Sequence, residues 1–121
     1  METYKGKLTE EHLKDLDLYN FLTVTKREKK TVINADTGAK EDRTEIYFEV
    51  DGQFTPAVVT ELSERLKNGP YYAVVKNRDE VNVMYPNKIF TYYPDDNGSR
   101  QKALEYGVSL GINLEELKVN F

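Results

Sequence analysis

The segments Phe21-Leu-Thr-Val-Thr-Lys26 and Thr44-Glu-Ile-Tyr-Phe-Glu-Val50 decide the fold, because both alternate apolar and polar side chains. Alternation with a period of two is typical of strands that bury one face. The connection between them carries the turn signal Asp36-Thr37-Gly38 near its middle. We therefore predict a long β-hairpin whose charged arm, residues 26–43, projects past the sheet that anchors it.

Further along the chain, the pattern predicts two principal helices separated by a meander of short strands. Thr55-Pro56 has the residue types of a helix start, and Asn68-Gly69 has those of a helix end. Ser99 is predicted to cap a second helix that ends at Leu110, with Leu104 and Val108 facing inward. Turn residues divide the intervening sequence into three predicted strands, Tyr71–Lys76, Glu80–Tyr85 and Lys88–Tyr93.

Three shorter features complete the predicted secondary structure. Thr9 begins a short helix that ends near Asp17, Gln53-Phe54 forms a brief strand, and Asn113 caps a last helical turn. The resulting fold class is α+β. It consists of a mainly antiparallel, OB-like sheet of about five strands, two principal helices and the projecting hairpin. No linker divides the chain, so we predict one domain over residues 1–121.

The composition argues against several classes of function. The 121 residues include no cysteine and one histidine, His12, which is predicted to face solvent on a short helix. Zinc sites and histidine-based catalytic triads need more ligands or partners than this. We therefore expect a non-catalytic protein without cofactor or metal. No apolar run approaches the length of a membrane span, and the N-terminus lacks a signal-peptide core, so a cytoplasmic location without membrane contact is predicted.

Charge is unevenly distributed along the chain. The net charge is −4, but residues 26–43 hold six basic and four acidic side chains, which leaves −6 for the remainder. If the strand faces coincide, a surface of aromatic rings bordered by cations results. Bases stack on such rings while Lys and Arg neutralise phosphates. We predict a single-stranded nucleic-acid-binding surface formed by Arg27, Lys29, Lys30, Lys40, Arg43, Tyr47, Tyr72, Lys76, Lys88 and Tyr92, with Phe90 on the same face.

Other interpretations stay open. The rings can instead pack beneath the helices and serve the core alone. The acidic residues also permit a protein inhibitor that mimics DNA and occupies a basic site on a host defence nuclease, such as a CRISPR or restriction enzyme. A small scaffold or assembly subunit is a third alternative, and the exposed edges of a small sheet permit a homodimer through β-strand addition. The predicted acidic face consists of Glu41, Asp42, Glu45, Glu49 and Asp51.

The run from Phe21 to Glu28, the Asp36-Thr37-Gly38 turn and the run Thr44–Gln53 resemble small proteins carried by Gram-positive phages and conjugative elements. Some of that group are single-stranded DNA-binding proteins with an OB-type barrel. The resemblance covers residues 19–93 and implies a DNA-binding role for a phage or plasmid protein. The chain departs from the group at its end, because Leu117-Lys-Val-Asn-Phe121 is not a flexible acidic tail.

Overall fold

An antiparallel sheet and three helices organise the chain in the computed structural model, which describes residues 3–33 and 37–121. The described residues form six strands in the spatial order β2-β3-β1-β4-β5-β6. The α+β class is therefore confirmed. The strands are β1 (Thr3–Thr9), β2 (Thr23–Ile33), β3 (Lys40–Asp51), β4 (Ala73–Lys76), β5 (Val81–Tyr85) and β6 (Lys88–Tyr92). The helices are α1 (Thr55–Arg65), α2 (Asn97–Ser109) and α3 (Leu114–Asn120), and short 3₁₀ turns cover Glu10–His12, Asp17–Phe21 and Gly52–Phe54.

Strand β1 lies in the middle of the sheet, between β3 and β4, and the sequence prediction missed it. It raises the number of strands from about five to six. Its Gly6 is directly opposite Phe48 of β3, and a Cβ atom at this glycine would overlap the Phe48 ring. The end of the ring therefore lies directly against the β1 backbone, which a larger residue at position 6 would prevent.

The long hairpin is confirmed and consists of β2 and β3. Pairing runs from Thr23 opposite Glu49 to Ile33 opposite Lys40, and a bulge interrupts the register between Val24 and Lys26. Because β1 pairs with β3 only as far as Glu45, the remaining hairpin extends past β1 as a two-stranded ribbon. Of the predicted turn, Asp36 lies outside the described residues, and Gly38 has a positive φ of 71°.

Helix α1 is confirmed and covers one face of the sheet. It starts at Thr55 with Pro56 in its first turn and buries Val58, Val59 and Leu62 against the sheet. It ends at Arg65, earlier than predicted, because Leu66 becomes extended and forms a β-bridge with Leu13. We call this side of the sheet, whose core includes Leu8, Ile46 and Phe48, the first face.

The strand meander is confirmed as β4, β5 and β6, and α2 and α3 lie on the opposite side of the sheet. Asp96, not Ser99, is the N-cap of α2, and its carboxylate accepts from the Ser99 N–H at 3.1 Å. Val108 was predicted to face inward, but it is 46% exposed, because Leu104 and Gly107 occupy the buried side of α2. Asn113 caps α3 as predicted.

Two further predictions were wrong. The segment from Thr9 is a 3₁₀ turn over Glu10–His12 and not a helix, because the chain beyond it is held extended by the Leu13 bridge to Leu66. Gln53-Phe54 belongs to the 3₁₀ turn Gly52–Phe54, which the Asp51 side chain caps at 3.0 Å from the Gln53 N–H. Within the described residues, no helix combines the length and apolar character that a membrane crossing requires.

Candidate functional site

One row of cross-strand neighbours defines the second face of the sheet, opposite α1. It runs from Lys26 on β2 through Tyr47, Lys7, Val74 and Val83 to Phe90 on β6. Helices α2 and α3 pack on the β4–β6 part of this face, which we call the closed half. The part formed by β2, β3 and β1 is the open half, and no described helix packs across it.

The closed half contains two of the rings predicted to stack on bases. Tyr92 is only 5% exposed, and its ring lies 6.5 Å from that of Phe121. Tyr72 is partly buried, and its hydroxyl accepts from Asn120 Nδ2 at 2.7 Å. Burial raises the pKa of both phenols. These contacts correct the prediction that Tyr72 and Tyr92 are solvent-accessible, because α3 and the C-terminal residue Phe121 pack over them.

Tyr47 is the predicted stacking residue that lies on the open half. Its ring is partly exposed, and the ammonium groups of Lys7 and Lys26 lie 5.5 Å and 5.4 Å from its centroid. The hydroxyl donates to Glu45 at 3.3 Å. Cations beside the face of a ring are attracted by its quadrupole. The arrangement therefore presents an aromatic ring with a lysine on each side. Each lysine also contacts a carboxylate, because Lys26 lies 2.9 Å from Glu28 and Lys7 lies 3.5 Å from Glu45.

A pair of lysines extends this positive strip toward β4. Lys5 and Lys76 are direct cross-strand neighbours, both are exposed, and neither forms an ion pair with another described residue. Like charges placed opposite each other destabilise a sheet unless an anion compensates them. Sequence reasoning found Lys76 but missed Lys5 and Lys7, because β1 was not recognised. The alternation of Thr3-Tyr-Lys-Gly-Lys-Leu-Thr9 was the signal that could have found them.

The structure does not bring the predicted cations of the arm onto one face. The bulge at Val24 and Lys26 turns Arg27 to the first face, where its guanidinium is 3.4 Å from Glu10. Lys29 is opposite Thr44 and therefore also on the first face, as is Lys40 opposite Ile33. The predicted coincidence of Arg27 with the ring-bearing face is thus wrong, because the prediction assumed an unbroken register.

The other predicted cations lie on the second face, and carboxylates already hold two of them. Lys30 Nζ lies 3.1 Å from Glu45 and 3.4 Å from Glu28. Arg43 contacts Glu41 through Nη2 at 3.4 Å and Glu116 through Nη1 at 3.3 Å. Lys88 lies over Phe90, 5.4 Å from the ring centroid, at the outer edge of the closed half.

The predicted acidic face is divided in the same way. Asp42 is on the first face and accepts from the Thr31 hydroxyl, whereas the other four acids follow the second-face alternation of β3. Burial alone would raise the pKa values of Glu41 and Glu45, but contacts with neighbouring cations outweigh it and hold both below their usual range. These two carboxylates are therefore bound within the molecule, as is Asp51 at its turn, whereas Glu49 lies opposite Lys5 of β1.

A cleft of about 990 Å³ lies between the open half and α3. Its lining includes the aromatic rings of Tyr47, Tyr71 and Tyr72 and the cations Lys7 and Arg43. The Nε atom of Arg43 is buried and has no hydrogen-bond partner among the described residues. Lys5 and Lys76 line this cleft and also a second cavity of about 480 Å³ beside it. The two cavities thus adjoin at this pair of lysines.

His12 also lines the cleft, and it is buried instead of solvent-facing. Its side chain is 7% exposed, its ring lies 4.2 Å from that of Tyr71, and Nε2 is 3.4 Å from Glu41 Oε1. Burial lowers the pKa of His12, and the nearby Glu41 carboxylate opposes this without reversing it. Within residues 3–33 and 37–121, no group of three His, Cys, Asp or Glu side chains could hold a metal ion.

Comparisons with known proteins add no relationship. The chain matches no protein-family model, no curated protein sequence and no solved structure.

Proposed function

We propose that this protein binds single-stranded nucleic acid, without catalysis, along the open half and the adjoining cleft. Tyr47 stacks on a base, and Lys5, Lys7, Lys26 and Lys76 contact phosphates. Stacking accepts every base and backbone contacts carry no sequence information, so the expected recognition is tolerant of sequence.

The observation that carries this proposal is the placement of four lysines around and beside a partly exposed ring in an acidic protein. The chain has a net charge of −4, yet Lys5 and Lys76 lie directly opposite each other and Tyr47 has a lysine on either side. A like-charge pair opposes folding, and a bound polyanion would offset it. An acidic body with one basic strip also orients an approaching polyanion toward that strip.

The remaining predictions belong with this proposal. We propose with it an OB-like architecture, a phage or plasmid origin and a cytoplasmic location, for which the resemblance and the composition are the support. The inhibitor alternative needs a free acidic surface. It is less favoured, because Glu41 and Glu45 are already engaged by Arg43, Lys7 and Lys30.

The test is fluorescence anisotropy with a labelled oligothymidine at low salt. Replacing Lys5 and Lys76 with Ala should weaken binding about tenfold or more and reduce the slope of log affinity against log salt by about 1.4, since each lost phosphate contact removes roughly 0.7. The matched control replaces Lys14 and Lys67, two exposed lysines near α1, with Ala. Equal losses in both double variants, or no wild-type binding at micromolar protein, would reject the proposal.

Tyr47 provides the second arm of the test. Tyr47→Leu should weaken binding about 5- to 150-fold, because one stacked base contributes about 1–3 kcal/mol. Tyr47→Phe keeps the ring and should bind within about twofold of wild type. If the leucine and phenylalanine variants bind alike, the ring does not stack on a base.

A further inference from the structure

Helix α3 forms one wall of the cleft and contacts the cations of its floor. Glu116 accepts from Arg43 Nη1 at 3.3 Å. Asn120 accepts from Lys7 Nζ at 3.2 Å through Oδ1 and donates to the Tyr72 hydroxyl at 2.7 Å through Nδ2. One short helix therefore occupies two cations and one ring of the cleft.

We propose that α3 is an autoinhibitory element in which Glu116 and Asn120 compete with nucleic-acid phosphates for Arg43 and Lys7. This inference rests on the proposed function and names how the same site is regulated. The Glu116 carboxylate holds Arg43 as a phosphate would, since both are anions that accept from a guanidinium. The affinity for nucleic acid then depends on the difference in free energy between the Arg43–Glu116 ion pair and the ion pair of Arg43 with a phosphate.

Arg43 offers a route for the exchange. Its Nη1 atom is held by Glu116, whereas Nη2 is held by Glu41 and Nε is buried without a hydrogen-bond partner among the described residues. A phosphate that enters the cleft can accept from Nη1 once the Glu116 carboxylate turns away, so that one charge-assisted hydrogen bond replaces another.

The exchange requires no unfolding of α3. Leu117, between the two competing residues, is fully buried and packs against Gly107 of α2. Glu116 is only partly buried, and its side chain can turn toward solvent while Leu117 stays in place. The core contact thus holds the helix while the polar contacts exchange.

The experiment compares two neighbouring charge-neutralising variants. Glu116→Gln should bind a labelled oligothymidine about fivefold or more tightly than wild type, in the range of ordinary coupling between sites. Glu115→Gln removes the same charge from the same helix turn. However, the Glu115 side chain is 82% exposed and contacts only Lys118, so its affinity should change less than twofold. Asn120→Ala, which changes no charge, should also tighten binding by freeing Lys7.

Arg43 provides the decisive control. In an Arg43→Ala background, Glu116→Gln should no longer tighten binding, because the contested cation is absent. Equal affinities of the Glu116 and Glu115 variants, with normal wild-type binding, overturn the autoinhibition and leave the proposed function standing. Binding by Glu116→Gln alone supports both proposals. Absence of binding by every variant rejects the function and the regulation together.

Discussion

Tyr47 and Tyr85 lie on the same face of one sheet, yet their surroundings are opposite. Tyr47 is partly exposed between two lysines, whereas Tyr85 is completely buried and donates to the Ala103 carbonyl of α2 at 2.6 Å. The alternation along β3 and along β5 places both side chains on the second face. The difference comes from α2 and α3, which follow β6 in the chain and pack their buried apolar side chains on the strands closest to them in sequence.

The strand pattern decides on which face of the sheet a side chain lies, and the placement of the helices decides whether that face is buried. Strand β3 alternates between buried and more exposed positions, because α1 covers one of its faces and the other is open. Strand β5 is buried at all five positions, because helices lie on both sides of it. A ring on the second face is therefore a core residue or a surface residue according to which strand carries it.

The largest expected effect tests this difference directly. Tyr85→Ala should reduce the free energy of unfolding by about 3–5 kcal/mol, as other large-to-small aromatic substitutions in a core do. Tyr47→Ala should change it by less than about 1 kcal/mol, because its ring borders solvent. Urea denaturation followed by circular dichroism measures both.

A conservative variant separates packing from hydrogen bonding at the buried position. Tyr85→Phe keeps the ring and loses only the bond to the Ala103 carbonyl, so it should lower the free energy of unfolding by about 0.5–1.5 kcal/mol. Similar losses for Tyr85→Ala and Tyr47→Ala would mean that the two halves are not distinct.

Much of the fold was predictable because its signals are local. The β2–β3 hairpin, the β4–β6 meander and the start of α1 follow from alternation, turn residues and the Thr55-Pro56 pair. Strand β1 was missed, although its Lys5 and Lys7 alternate with Tyr4 and Leu8. It pairs with strands far along the chain, and such long-range pairing leaves no local turn signal.

The candidate site was less predictable for two physical reasons. First, one bulged residue near Val24 reverses the face of everything that follows on β2, so Arg27 moved away from Tyr47. Second, the periodicity of a helical sequence does not determine which strands the helix packs on. Tyr72 and Tyr92 were therefore expected in solvent but lie beneath α3 and Phe121. Tyr47 and Lys76 were placed on the correct face because the extra residue of the bulge lies in β2 and not in their own strands, β3 and β4.

A smaller effect distinguishes the lysines within the open half. Lys76→Ala should raise the free energy of unfolding by about 0.2–1 kcal/mol at low salt, because it removes a like charge opposite Lys5. Lys7→Ala should instead lower it, since Lys7 contacts Glu45 at 3.5 Å and Asn120 at 3.2 Å. Both differences should shrink at high salt.

Urea denaturation at two salt concentrations measures these changes. Lys67→Ala, an exposed lysine outside the open half, is the control and should have no resolved effect. If Lys76→Ala destabilises the protein at low salt, the two lysines do not repel each other, and the main support for an anion at this position is lost.

The smallest expected effect is the pH dependence of the free energy of unfolding that His12 causes at the edge of the cleft. Burial holds the folded-state pKa of His12 below its unfolded value of about 6.5, so the unfolded chain binds a proton more readily. The stability contribution is therefore complete above about pH 6.5 and is lost as the pH falls toward the folded pKa. The lowered pKa values of Glu11 and Glu41 act in a separate window, below about pH 4.5.

His12→Gln should therefore flatten the dependence of unfolding free energy on pH between 7.5 and 5.5 while leaving the acid limb below 4.5 in place. Glutamine does not titrate and can still donate to Glu41, so the comparison isolates the proton uptake by the imidazole. Urea midpoints at pH 7.5, 6.5 and 5.5 measure the change. If the variant and the wild type lose equal stability across this range, the imidazole is not the titrating group, and His12 is not desolvated at the edge of the cleft.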